Sequence, residues 1–468
     1  MVAWTNRPRK GLRQVLACDA MSRFPHPLTL LTGCILAAAI ASYVLPAGQY
    51  DRREDPVTNK QVVVAGTYHH VDPRPVGPFE ALVAIPKGLA DAGSVVFLVF
   101  LVGGAFTVVD ETGALRQAVG WLVRRLQQRE ALVIPIVSVV FASGGALENM
   151  SEEIIALVPV LLLVTRRLGF DALTAVAISV GAAAVGSSFS PINPFQVQIA
   201  QKLAGLPLLS GWFFRLCVLA VALTGWIWAT WRHAERTRQP PGEVASQEAG
   251  TRGGELDVRT SVVLFIVLTA FAVFVYGVMR LGWDFDQMSA LFFAMGVLAG
   301  LAGGLGFGGT ARGFVNGFAS MAYAAMLIGF ARAIFVVLDQ GRIIDTIVNA
   351  LVTPLQNLPV ALSALGMMAV QAAVHFPVPS VSGQAVLTMP VLVPMSDLIG
   401  LSRQVVVLAY QYGAGLTELV TPTNGALMAV TAAAGVKYSD WLQFVVPIYL
   451  GLLAAGALAV VLAILVGL

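Results

Sequence analysis

Long apolar runs set the rhythm of this chain. A helix needs about 17–25 mostly apolar residues to cross about 30 Å of hydrocarbon. The clearest runs have their cores at residues 28–44, 94–109, 172–189, 213–231, 261–279, 289–305, 324–338, 405–416 and 442–466. Two other stretches break the rhythm. In 132–164 two half-length apolar arms flank the polar tip 143–153, and in 356–398 two arms flank 377–384. Short arms joined by a polar tip predict re-entrant hairpins, tolerated at membrane depth only where protein covers them or a water-filled cavity meets them. Over 113–130, apolar positions at helical spacing alternate with Arg116, Arg124, Arg125 and Arg129, the pattern of an amphipathic helix lying in the interface. Segment 48–91 is polar and Pro-rich, and Val62-Val63-Val64 before Gly66 predicts a short hairpin in it.

A second kind of interruption occurs twice, at matching positions. The first copy reads Ser190-Pro191-Ile192-Asn193-Pro194 and the second Thr421-Pro422-Thr423-Asn424-Gly425. On the same offset Pro159 falls on Pro390, Ser151 on Ser382 and Gly169 on Gly400. Each proline lacks an amide hydrogen and clashes with the preceding turn, so each stops its helix. Paired breaks of this kind in two halves of a membrane chain point to a transporter's binding site.

Composition fixes the setting. Hydrophobic residues make up 57% of the 468 positions and charged residues 12%, about half the roughly 25% usual in soluble domains. The net charge of +3 is ordinary, but its placement orients the chain. Arg7, Arg9, Lys10 and Arg13 precede the first run and put the N-terminus in the cytoplasm. Arginines lie on both sides of the first hairpin (Arg124, Arg125 and Arg129; Arg166 and Arg167), so both its ends are expected to be cytoplasmic. The second hairpin is flanked only by Arg342 and Arg403, as expected if it enters from outside, and run 261–279 inverts the second half relative to the first. The first run is too long for a signal-peptide core and is read as a retained helix.

The sequence therefore predicts an all-α polytopic membrane protein of two inverted repeats, each with a re-entrant hairpin and a broken transmembrane helix. Its parts are a cytoplasmic tail 1–24, a first repeat 25–232 with an external loop 48–91, a cytoplasmic linker 233–259, and a linking helix plus second repeat 260–468. Cys18, Cys34 and Cys217 are scattered and form neither a metal-ligand spacing nor a disulfide framework.

The breaks and hairpin tips carry the candidate chemistry. Carbonyls freed at a break can coordinate a cation, while the amides of the following half-helix favour an anion. Asn193 and Asn424 each offer an acceptor and a donor. With Ser190, Thr421 and Thr423 at the breaks, and Asn149, Ser151, Ser380, Ser382 and Gln384 at the tips, they form the candidate substrate-binding set. Glu148, Glu152, Glu153 and Glu418 are the candidate sites for a proton, a coupling ion or a substrate ammonium. A carboxylate at membrane depth costs about 2.5–3.5 kcal/mol even on the lenient insertion scale. Against this stands a plainer reading, in which the glutamates are solvated in a wet vestibule or cap the second arm. Arg332, inside an apolar run, has Asp339 or a substrate carboxylate as candidate partners, and at its distance from the breaks an interhelical salt bridge is the expectation. His375, Gln196, Gln198 and Gln201 are weaker candidates.

In order, the helix, external loop, helix, interfacial helix, Gly144-Gly145-x-x-Glu148-x-x-x-Glu152-Glu153 hairpin and Ser190-Pro191-x-Asn193-Pro194 break resemble the C4-dicarboxylate anaerobic carrier family, closest to its YfcC-like permeases. The likeness runs from about Pro25 to the C-terminus. It implies membership of the wider ion-transporter superfamily, with two hairpins and two broken helices in an elevator-type homodimer of the bacterial inner membrane. In the sodium-coupled dicarboxylate branch the tips carry Ser-Asn-Thr-type motifs, and this chain departs from them at both tips, so sodium coupling of that kind does not carry over.

Among function classes, an intramembrane enzyme would need a nucleophile with a base or a metal cluster. The five histidines include two in the external loop, and there is neither a His-Glu-x-x-His motif nor a Walker phosphate loop. A channel accounts for the hydrophobicity but not for duplicated breaks. The expectation is a secondary active transporter for a small carboxylate-bearing metabolite, a dicarboxylate or an amino acid, with H+ or Na+ coupling or exchange. A basic amino acid antiporter is the alternative. The lipid bilayer is its environment, and no cofactor, metal or nucleic acid is expected.

Overall fold

The computed structural model describes residues 26–468 except 56–59, 65, 115–116, 118–131, 239–256, 282 and 284. The N-terminal tail, nearly all of the interfacial helix and most of the basic linker lie outside the described residues.

The fold is a bundle of helices. Helix α1 (Pro27–Val44) begins with a proline in its first turn, where no amide partner is needed. Two small antiparallel ladders follow, β1 (Gly48–Gln49) with β4 (His69–His70) and β2 (Arg52–Asp55) with β3 (Lys60–Val63). The expected hairpin is thus two nested ladders. Segment 48–91 is also not loop throughout, because Pro78–Asp91 is a helix, α2. Its Pro78, Glu80, Pro86, Lys87 and Asp91 make it look like loop, yet Pro78 sits where a helix tolerates it and Glu80 accepts from the Gly77 amide at 2.9 Å. Helix α3 (Gly93–Glu111) continues the chain after a single non-helical residue.

The first hairpin consists of α4 (Val133–Glu148) and α5 (Glu152–Arg167). Its tip is tighter than the polar stretch implied: Asn149 caps α4 in the left-handed conformation (φ 56°), which asparagine adopts more readily than most residues. The first broken helix is α6 (Ala172–Ser188), a break at 189–193, a π-helical turn Pro194–Gln198 and α7 (Ile199–Leu203). Helix α8 (Trp212–Thr237) runs into the expected linker, so its first residues are helical. There His233 bonds Asp171, the N-cap of α6, at 3.0 Å.

In the second half, α9 (Val258–Leu281) and α10 (Phe285–Ala302) precede α11 (Gly306–Gln340). Helix α11 has 35 residues, far more than the apolar core 324–338. Helices α2 and α3 together pack along it, with α1 and α10 beside them. After α12 (Ile344–Val352) comes the second hairpin, α13 (Val360–His375) and α14 (Val381–Leu398). Residues 381–384 of the expected breaker are the first turn of α14. The second broken helix is α15 (Arg403–Thr417), a break at 418–424 and α16 (Gly425–Ala433), followed by α17 (Tyr438–Leu465). Six helices among the described residues are long and apolar enough to cross a membrane.

Each hairpin's first arm packs on the helix that breaks, α4 on α6 and α13 on α15. The first contact is backbone to backbone. A Cβ on Gly145 would lie 2.0 Å from the Ala183 carbonyl oxygen, and one on Gly186 2.0 Å from that of Ala142. Small residues permit this approach, and in lipid close packing replaces the missing hydrophobic drive between helices.

Candidate substrate site

The first arm of each hairpin ends beside the helix that breaks, and polar residues of the break bond carbonyls of the arm's last turn. In the first half, Ser190 Oγ donates to the Ala146 carbonyl (2.7 Å) and Asn193 Nδ2 to that of Gly145 (2.8 Å). In the second half, Thr423 Oγ1 donates to the Phe376 carbonyl (2.8 Å) and also meets Thr421 Oγ1 (2.9 Å). The hydroxyl residues that mark the breaks therefore stitch each broken helix to its hairpin.

Part of the expected substrate-binding set lies away from the cavity. Ser190, Asn193, Thr421 and Gln384 are fully buried and do not line the cavity described below. Asn193 is engaged inside the protein: its Oδ1 accepts from the Phe195 and Gln196 amides at 2.9 and 2.8 Å while its Nδ2 donates to the Gly145 carbonyl. Gln384 is committed inside the second hairpin, where its Oε1 meets His375 Nδ1 (3.0 Å) and its Nε2 donates to the Gln371 carbonyl (2.7 Å). Gln198 and Gln201 likewise bond nearby backbone carbonyls.

The remaining candidates come together. A cavity of about 660 Å³ opens between the two tips and the second break. Asn149, Ser151, Glu152 and Glu153 face it from the first tip, Ser380 and Ser382 from the second, and Glu418, Thr423 and Asn424 from the second break. Glu148 ends α4, and its side chain lies outside the described residues. The N-termini of α5, α14 and α16 border the cavity, as does that of α10 at Phe285. Asn424 caps α16 through Oδ1 to the Leu427 amide (3.1 Å), and Ser380 caps α14 through Oγ to Gly383 (3.3 Å).

The acidic residues divide by role. Glu153 Oε2 accepts from the Ser151 amide at 3.1 Å, at the N-terminus of α5. Glu152 also stands in the first turn of α5. Glu418 differs. It is 8% exposed, and its Oε2 is buried without a hydrogen-bond partner among the described residues. Asn149 Oδ1 is in the same condition. Both are acceptors at the cavity wall, and an unmet buried acceptor costs about 1–3 kcal/mol.

Two charged residues in the wall were not in the expected set. Asp91, the last residue of α2, pairs with Arg332 of α11, and both line the cavity. Arg332 was expected to make an interhelical salt bridge and does, but with Asp91 rather than Asp339. Its position inside an apolar run was the available signal.

Apolar helices long enough to cross a membrane, around a partly open cavity with both polar and apolar walls, define a multi-pass membrane protein. The chain belongs to the C4-dicarboxylate anaerobic carrier family, whose model matches residues 24–465, and it is a membrane transporter. An Escherichia coli (strain K12) relative named "Putative basic amino acid antiporter YfcC" is 33% identical over 90% of this chain and 92% of its own length. Two solved transporter structures are also similar. Neisseria gonorrhoeae MtrF, described among a class of antimetabolite efflux pumps, has a TM-score of 0.41 and 17% identity, covering 94% of this chain and 95% of that one. The Alcanivorax borkumensis YdaH transporter has a TM-score of 0.43 and 18% identity, covering 95% and 99%.

Proposed function

We propose that the chain is a secondary active transporter of amino acids, taking its substrate into the cavity between the two hairpin tips. The observation that carries this reading is the pair of unmet acceptors, Glu418 Oε2 and Asn149 Oδ1. A plain dicarboxylate has only acceptors to offer them. An amino acid brings an ammonium to Glu418 and Asn149, and a carboxylate that suits the helix N-termini. Glu152 beside them adds negative charge, which favours a basic amino acid. The name of the Escherichia coli relative supports the same choice.

In this reading the two halves are inverted repeats in a bacterial inner membrane, with the N-terminus cytoplasmic. Several placements support the orientation. Arg342 and Asp345 bond the loop ladders at Gly48 and Arg52, on the side expected to be external. The turn after Gly169, by contrast, is joined through Asp171 to His233 at the start of the basic linker. An elevator motion and a homodimer follow from the family resemblance, and Glu152 or Glu418 would carry a coupling proton.

The test is uptake into proteoliposomes of L-arginine, L-ornithine and succinate, each with and without an internal load of the same compound. Exchange of the amino acids with no movement of succinate supports the reading. Succinate movement without amino acid movement overturns it in favour of a dicarboxylate carrier.

A further inference from the structure

We infer that Arg332 is the residue that selects substrates carrying a carboxylate, binding it on the guanidinium edge left open beside Asp91. This rests on the amino acid reading above and assigns that site its anion-binding half.

The ion pair is poorly explained as a fastener. Both side chains are well exposed to the cavity, 39% for Arg332 and 47% for Asp91, and pairs in such settings contribute little to stability. Helix α2 is already held on α11 by close backbone packing: a Cβ on Gly88 would come within 2.5 Å of the Gly329 carbonyl oxygen. The pair instead orients a recognition group. Asp91 takes the Nε side of the guanidinium, and the group lies 4.7 Å from the centroid of the Phe335 ring. Held on one edge and one face, the guanidinium keeps a fixed plane. Nη1 and Nη2 have no hydrogen-bond partner among the described residues. Two parallel N–H donors in a fixed fork match a carboxylate, a match that the ammonium of lysine cannot reproduce.

The charges in the wall then sort by position. Glu418 and Asn149 supply acceptors for an ammonium, and Arg332 supplies donors for a carboxylate. Asp91 acts through Arg332 and is a positioning residue.

The test compares L-arginine with agmatine, which has the same guanidinium and chain but no carboxylate. Both are titrated onto the purified full-length protein by isothermal calorimetry, with unliganded thermal stability measured alongside. The wild type should bind L-arginine about ten-fold or more tighter than agmatine, the scale of a charge-assisted pair. Arg332→Gln should bring that ratio near one through a loss of L-arginine affinity, and Arg332→Lys should restore part of it. A ratio near one in the wild type, an unchanged ratio in Arg332→Gln, or equal weakening of both ligands with lost unliganded stability each overturns the inference while amino acid binding stands. If neither compound, nor L-ornithine, binds the wild type, the amino acid reading itself fails and the inference with it.

Discussion

The duplicated asparagines should behave differently when removed. Asn193→Ala deletes three hydrogen bonds of 2.8, 2.9 and 2.8 Å, all inside the protein. Losing the cap costs about 0.5–2 kcal/mol, and an interhelical bond in a membrane protein averages about 0.6 and reaches about 1.7. Together these give a loss of about 1–4 kcal/mol in stability. Asn424→Ala deletes one protein bond, the 3.1 Å cap to Leu427, and opens a gap in the cavity wall. Its cost in stability should be about 1 kcal/mol, and its main effect should fall on binding. Thermal unfolding in detergent with and without L-arginine separates the two. A ligand at 100 times its Kd stabilises by about 2.7 kcal/mol, and a ten-fold weaker site at the same concentration by only about 1.4. Asn193→Ala should therefore start lower and keep its full ligand-induced rise, while Asn424→Ala should start near the wild type and lose about half of it. Equal baselines and equal ligand responses in the two variants would refute the division of labour between the breaks.

Gly186→Ala should lower the yield of folded protein, because its Cβ would meet the Ala142 carbonyl at 2.0 Å and overpacking costs about 1–3 kcal/mol or more, whereas Gly451→Ala has nothing within 4 Å and should be neutral or slightly stabilising by thermal unfolding. Burial alone would raise the Asp171 carboxyl, but hydrogen bonds from His233 and Thr174 outweigh it and lower it from 3.8 to about 2. Its contribution is thus complete above about pH 4 and is lost as pH falls towards 2, so acid titration of stability should show this slope in the wild type and not in Asp171→Asn. In a background without Cys18, Cys34 and Cys217, a single cysteine at Arg167 should be labelled from the cytoplasm and one at Arg403 from outside, with same-side labelling contradicting the inverted arrangement. Glu418→Gln should lose uptake driven by a pH gradient yet retain substrate exchange, and uptake that follows sodium alone would remove the proton from the mechanism.

The spanning helices, the hairpins and both breaks were legible because a period of apolar length and a helix-stopping proline are local signals. What the breaks face was not. Ser190-Pro191-x-Asn193 and Thr421-Pro422-x-Asn424 look alike in sequence, but Asn193 turns back to Gly145 while Asn424 reaches the cavity. The difference depends on how α4 lies on α6, which is fixed by the Gly145–Ala183 and Ala142–Gly186 approaches across residues far apart in the chain. Helix α2 was missed for the opposite reason: its prolines and charges read as loop, and only packing along α11 gives it a face to bury. Asp91 could not have been chosen from sequence, since its partner lies 241 positions away.

The site is therefore composite in a particular way. The first half contributes its hairpin tip, from Asn149 to Glu153, while its break is consumed in holding that hairpin. The second half contributes both a tip and a break, at Ser380–Ser382 and Glu418–Asn424. Helix α5, whose N-terminus carries the first tip, packs against α16, whose N-terminus carries the second break. A ligand touching Asn149 and Glu418 together would bridge the two halves of the chain at this seam. The two copies of one motif thus both hold a hairpin, but Asn193 bonds Gly145 inside the protein while Asn424 lines the cavity.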